Sequence, residues 1–123
     1  MAKKVLIIED EAPLAHALQM KLDHEGIESE SALGGEEGIS MLEQDKYSLI
    51  LLDLIMPKID GFAVLEQLRN SNWPDKNKPV IVFSNLGQES DIDRAKELGA
   101  NDYLVKANLT PNQVVAKIRE HLK

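Results

Sequence analysis

Ser48-Leu49-Ile50-Leu51-Leu52-Asp53 places four apolar residues in a row between a serine and an acid. The run is too short for a helix, and a half-buried strand would carry a polar residue at every second position. Residues 48–52 therefore read as a central strand covered on both faces, with Asp53 at its carboxyl end. Such a strand belongs to a parallel sheet flanked by helices.

Outward from that strand, two periodicities alternate. Upstream, residues 35–44 carry Ile39 and Leu42 and read as a short helix. Residues 27–32 form a weaker, more polar strand suited to a sheet edge. Residues 11–25 place Leu14, Leu18 and Leu22 on one helical face, with Pro13 in the first turn and Gly26 at the C-cap. Residues 4–8 are a β-branched, buried strand. Downstream, residues 60–70 read as a helix with Phe62, Leu65 and Leu68 on one face and Asp60 as N-cap. Residues 71–77, with Trp73 and Pro74, are the longest irregular stretch and fall at the sheet end opposite Asp53. A strand over 78–84 is entered through Pro79. A helix over 89–98 turns Ile92, Ala95 and Leu98 inward and closes at Gly99. Residues 102–105 form a last strand. Thr110-Pro111 opens a terminal helix with Val114, Val115, Ile118 and Leu122 inside.

The expectation is one α/β domain over residues 1–123, a (βα)5 doubly wound five-stranded parallel sheet. Right-handed crossovers leave few strand orders. The flavodoxin-like order 2-1-3-4-5 fits, because it puts the polar second strand at an edge.

The 123 residues are enough for one such domain. There are no cysteines, which excludes disulfides and thiolate chemistry. Fourteen Lys and Arg against 21 Asp and Glu give a net charge of −7, which argues against direct nucleic-acid binding. No apolar run approaches the roughly 20 residues of a membrane span, and the basic start leads into too short a stretch for a signal peptide. A cytoplasmic protein with no membrane association is expected. His16, His24 and His121 lack the spacing of a metal site and read as surface or boundary residues. The methionines read as core filler or loop packing.

In an open parallel sheet, function gathers beyond the carboxyl ends of the strands. Those tips carry Glu9-Asp10, Asp53, Ser84 and Lys106. Carboxylates packed together repel unless a cation sits among them, and an all-oxygen site suits Mg2+. A lysine and a hydroxyl alongside can grip phosphoryl oxygens. Together they suit phosphoryl transfer to a carboxylate nucleophile.

The stretch Leu51-Leu52-Asp53-Leu54-Ile55-Met56-Pro57-Lys58-Ile59-Asp60-Gly61 resembles the signature around the acceptor aspartate of response-regulator receiver domains. Glu9-Asp10, Ser84 and Lys106 match that family's acidic pair, hydroxyl and lysine, and Tyr103 matches its switch aromatic. The resemblance covers essentially the whole chain. It implies a two-component signal-transduction protein that takes a phosphoryl group on Asp53. The donor would be the phosphohistidine of a sensor histidine kinase or histidine phosphotransfer protein. It implies Mg2+ held by Asp10 and Asp53, by the Ile55 backbone carbonyl, and by Glu9 through water. Ser84 and Lys106 would bind the phosphoryl oxygens. Ser84 and Tyr103 would then switch the face from Glu89 to Lys123 for an output partner not named by the sequence. Such a protein is a switch rather than an enzyme, although it catalyses its own phosphoryl transfer and slow autodephosphorylation. The sequence leaves open a stand-alone receiver or one excised from a longer regulator. It also leaves open a homodimer through Arg94, Asp102, Lys117 and Arg119.

Three departures from the family pattern stand out. Asn85 replaces a small residue after the hydroxyl, and Ala107 replaces the proline after the lysine. Ile55 and Leu86 are apolar where relatives carry polar residues that orient water, so a long-lived aspartyl phosphate is expected. Competing functions fit less well. A haloacid-dehalogenase-like phosphatase needs an acid at Ile55. A flavodoxin-like FMN module needs an anion-binding loop where Glu9-Asp10-Glu11 stands. A pseudo-receiver acting as an unphosphorylated interaction module draws support only from Asn85 and Ala107.

Overall fold

The computed structural model describes residues 3–44, 47–70 and 78–122. In chain order the elements are β1 (Lys4–Ile8), α1 (Ala12–His24), β2 (Glu28–Ala32), α2 (Gly35–Gln44), β3 (Leu49–Leu52) and α3 (Gly61–Asn70). They continue with β4 (Val80–Ser84), α4 (Glu89–Glu97), β5 (Asp102–Val105), a 3-10 turn (Lys106–Asn108) and α5 (Pro111–His121). The five strands are parallel in the order β2-β1-β3-β4-β5, as expected. β4 starts later than expected, at Val80. Pro79 has no N–H to give to the ladder. Trp73 and the rest of the expected irregular stretch lie outside the described residues. No helix among the described residues is long and apolar enough to cross a membrane.

Strand side chains alternate between two cores with period two. Val5, Ile7, Leu49, Leu51, Ile81 and Phe83 pack with Leu18, Leu22, Val114 and Ile118 of α1 and α5. Leu6, Ile8, Ile50 and Leu52 pack with Ile39, Leu42, Leu65 and Leu68 of α2 and α3. A smaller cluster of Leu54, Phe62, Val82 and Ala95 lies under α4. Each fully buried Leu or Ile contributes about 1.5–3 kcal/mol, so the central strands β1 and β3 anchor the sheet from both sides. Met20 departs from expectation: it is 52% exposed on α1. It falls off the stripe set by Leu14, Leu18 and Leu22, which alone faces the sheet.

Local chemistry sets the helix ends. Asp60 Oδ1 accepts from Ala63 N–H at 2.9 Å, the expected N-cap of α3. Thr110 and Gln113 form a reciprocal capping box at the start of α5. Gly26 and Gly99 take φ of +76° and +104° as α1 and α4 end, where a side chain would be strained. At the amino end of the sheet, Arg69 on α3 donates to the carbonyls of Lys78 and Gly99 and to Asn101 Oδ1, at 2.8–3.2 Å. Asn101 Oδ1 also accepts from Val80 N–H at 2.9 Å. That network joins α3, β4 and the α4–β5 connection.

The approach of α3 to the end of β3 depends on Gly61. Its N–H donates to the Leu54 carbonyl at 3.0 Å. A Cβ there would stand 2.1 Å from the Asp53 carbonyl oxygen and 2.7 Å from Leu54 Cα. Both neighbours are backbone and cannot rotate away. Gly61→Ala is expected to destabilise the protein by about 2–3 kcal/mol. Gly34→Ala, where a Cβ meets nothing within 4 Å, should change stability by less than about 0.5 kcal/mol. Urea denaturation of the two variants beside wild type checks the contrast.

Candidate functional site

The ladder continues one residue past each central strand. Glu9 N–H donates to the Ala32 carbonyl at 2.9 Å, and Asp53 N–H to the Ile8 carbonyl at 3.0 Å. Both backbones are therefore fixed beside each other at the carboxyl rim of the sheet. Both side chains are buried, at 1% and 4% exposure. Asp10 is more exposed. One carboxylate oxygen from each of Glu9, Asp10 and Asp53 lies within 4.8 Å of the others.

Lys106 closes the group. It leaves β5 into the 3-10 turn, and its ammonium stands 2.6 Å from Glu9, 3.0 Å from Glu11 and 3.1 Å from Asp53. It also lies 5.6 Å above the Phe83 ring. Asp10, Glu11, Asp53, Ile55, Asn85 and Lys106 line an open cavity of about 210 Å³ over the group. Ala107 thus follows Lys106 in a 3-10 turn, and Asn85 lines the same cavity as Asp53.

The donor set fits a hard divalent cation. All three acids offer oxygen, and opposite ligands of one Mg2+ stand about 4.2 Å apart at metal–oxygen distances near 2.1 Å. Glu9 Oε1 is buried without a hydrogen bond. Lys106 is close to it but without hydrogen-bond alignment, so a lone pair remains for a cation or its water. Ile55 N–H donates to Asp53 Oδ1 at 3.3 Å, which brings the backbone of residue 55 to the same carboxylate.

One ammonium among these carboxylates explains two opposite-looking shifts. Burial would lower Lys106, but Glu9, Glu11 and Asp53 outweigh it and hold its pKa above the usual lysine range. Glu9 shares that single cation with the others. Burial, with Asp53 adding, pushes its carboxyl up to about 7 against the opposing pull of Lys106 and the Glu11 N–H.

Ser84 is fully buried at the end of β4, and its Oγ accepts from Leu86 N–H at 3.3 Å. The Tyr103 hydroxyl donates to the carbonyl of the same Leu86. Burial raises the Tyr103 pKa, with Asp91 and Asp53 adding. The structure thus gathers Glu9, Asp10, Asp53 and Lys106 into one group. Ser84 and Tyr103 meet at Leu86 beside it.

Three features of the site escaped the sequence. Glu11 contacts Lys106 across 95 positions, and the signal was a third consecutive acid at a strand tip. The close approach that requires Gly61 has no mark in the sequence beyond its place in the stretch after Asp53. Lys58 takes φ of +70°, and the Ile59 N–H reaches back to the Pro57 carbonyl at 2.9 Å across it. That three-residue turn is strained for a non-glycine and carries no sequence mark. The residues considered for a dimer all have partners within the chain. Arg94 stacks on Phe62, Asp102 meets His121, Lys117 meets Glu120, and Arg119 meets Glu25.

Known proteins resemble this chain in sequence and in fold. A family model described as the response regulator receiver domain matches residues 5–119. "Probable transcriptional regulator ycf27" of Porphyridium aerugineum is 37% identical over 121 residues, which are 98% of this chain and 48% of that protein. Transcriptional regulatory protein SrrA of Staphylococcus aureus is 33% identical over 123 residues, which are 100% of this chain and 49% of that protein. The chain spans about half the length of the curated relatives it matches. Among solved structures, a response regulator receiver domain protein (CheY-like) from Methanospirillum hungatei aligns with a TM-score of 0.90. That alignment covers 99% of this chain and 94% of the other at 24% identity, a likeness of fold.

The Glu9 shift has a consequence for metal-free protein. Glu9 holds its proton more tightly folded than unfolded, so its contribution to stability is present below its ordinary value of 4.5. It is lost as pH rises through about 7. Between pH 5 and 8 without divalent cations, Glu9→Gln should lose less stability than wild type, by of order 1–3 kcal/mol. Thermal melts across that range in EDTA check it. Parallel curves for the two proteins would contradict it.

Proposed function

The chain belongs to the response regulator receiver family, and from that premise we propose that it is a phosphoryl-accepting switch with Asp53 as acceptor. The observation that carries this is the group itself. Glu9, Asp10 and Asp53 offer oxygens within 4.8 Å of one another, with the Lys106 ammonium 3.1 Å from Asp53. Asp10, Asp53, the Ile55 carbonyl and Glu9 through water would hold Mg2+. When bound, the cation neutralises charge on the transferring phosphoryl oxygens.

Asp53 attacks the phosphorus of a phosphohistidine on a sensor histidine kinase or histidine phosphotransfer protein. The new bond joins a carboxylate oxygen of Asp53 to phosphorus. The phosphorus–nitrogen bond breaks, and the imidazole leaves with that electron pair and takes up a proton. Lys106 already touches the nucleophile and needs little movement to hold a phosphoryl oxygen. Ser84 supplies its hydroxyl by releasing the Leu86 N–H.

That release is the link to the switch. Ser84 and Tyr103 both hold Leu86, one by its N–H and one by its carbonyl. Drawing Ser84 toward the phosphoryl group moves the loop against Tyr103, whose ring packs on the Leu54, Phe62, Val82 and Ala95 cluster. Tyr103 turns inward, and the face formed by α4, β5 and α5 repacks for an output partner. The change is a population shift between two packings, biased by contacts to one small group. The switch acts once per phosphoryl group and works in the cytoplasm. Every polar position that phosphorylation requires is filled, so an unphosphorylated interaction module is not favoured.

Two outcomes test the proposal. With acetyl phosphate and Mg2+, intact mass should show one added phosphoryl group on wild type and none on Asp53→Asn. An equal gain on both would sink the assignment. The phosphoryl group should also persist, because Ile55 and Leu86 beside it cannot orient an attacking water. Loss within seconds after the donor is removed would refute that point.

A further inference from the structure

Lys106 has one more anionic partner than the proposed chemistry uses. Asp53 is the acceptor, and Glu9 belongs with the metal. Glu11 has no role in either, yet its Oε2 lies 3.0 Å from the Lys106 ammonium. The ammonium donates to Glu11 and Asp53 and stands 2.6 Å from Glu9, so three carboxylates compete for one cation.

The local structure shows that this side chain is turned away from its ordinary task. Glu11 is the N-cap residue of α1, with extended backbone, but its side chain caps nothing. A Ser, Thr, Asp or Asn at an N-cap accepts from the first-turn N–H groups. Here the carboxylate reaches across to the loop after β5 instead. It is also the most exposed of the three partners, with its side chain at 59% against 2% for Glu9 and 4% for Asp53. With Asp53 and Lys106 it lines the open cavity over the group.

We infer that Glu11 is a positioning residue that occupies Lys106 in the unphosphorylated site and gives way to the incoming phosphoryl group. The inference rests on Asp53 being the phosphoryl acceptor. Of the three partners, Glu11 is the one Lys106 can release most easily, because a solvated carboxylate returns to water with little loss. Glu9 and Asp53 cannot leave, since their backbones are tied into the sheet. Until it is displaced, Glu11 keeps Lys106 aimed into the site. It also opposes anions at the mouth, both by its own charge and by holding the donor they need.

Three variants test this. Glu11→Gln removes the charge. Glu11→Ser removes it and supplies the missing N-cap acceptor, so α1 keeps its start. Glu43→Gln makes the same change in net charge at an exposed position on α2. Two quantities are read for each. One is the dependence of the phosphorylation rate on acetyl phosphate concentration with Mg2+. The other is the dissociation constant of beryllofluoride with Mg2+, a stand-in for the phosphoryl group that binds without reaction. Both Glu11 variants should lower the half-saturating acetyl phosphate concentration and the beryllofluoride constant by about 2–5-fold. The rate at saturating donor should change little, and Glu43→Gln should match wild type in both readings. Unchanged or weaker binding in the Glu11 variants would overturn the inference, as would an equal gain in Glu43→Gln. If wild type neither gains a phosphoryl group nor binds beryllofluoride, the acceptor assignment itself fails.

Discussion

One ammonium serving several carboxylates at the rim of a parallel sheet is the constraint on which the rest of this molecule turns. Glu9 and Asp53 are held side by side by backbone hydrogen bonds that extend the β1 and β3 ladders. Neither can move apart to relieve repulsion, and both are largely buried. Lys106 offsets part of that charge from the far strand β5, and the remainder is what the proposed divalent cation would neutralise. The core exists in its present form partly to hold this arrangement. β1 and β3 are buried on both faces, so the acids at their ends sit on strands held by packing from either side.

Much of this was legible in the sequence. Apolar runs of four residues ending in polar groups marked β1, β3 and β4, and the polar β2 pointed to the order of the sheet by requiring an edge. Asp53, Asp10 and Lys106 could be named because each ends a strand, and strand ends in this topology converge whatever the loops do. What could not be read depends on contacts across the chain. Glu11 and Lys106 are 95 positions apart, and a third acid after an acidic pair looks like any solvated helix start. The need for Gly61 comes from the Asp53 carbonyl passing beneath it, a property of the packed loop. Met20 was misplaced because methionine alone does not say which side of α1 it takes.

The two ends of the sheet are built differently. At the amino end, Arg69 bonds two carbonyls and Asn101, and Asn101 in turn holds the start of β4. Such a network fixes α3, β4 and the turn after α4 as one body. At the carboxyl end, the β4–α4 loop is held mainly through Leu86 by two side chains that the proposed switch would move. In the proposed switch, a change at the site would move the loop and the near end of α4, while Arg69 holds the Gly99 carbonyl just past its far end.

The local compromises fall on the same side. Glu11 leaves α1 without a side-chain cap, Lys58 sits in a left-handed conformation, and Glu9 is a buried carboxyl sharing one ammonium with two others. Each departs from what local structure alone would favour, and each is of the order of 1–3 kcal/mol. Sequences tend to break local rules at functional sites and keep them elsewhere. Thr110 and Gln113 cap α5 reciprocally, and Asp60 caps α3, so this chain is able to cap a helix where nothing else is asked of the residue. α4 also starts without a side-chain cap, at Gln88, so what marks α1 is where its N-cap side chain goes instead, to the Lys106 ammonium.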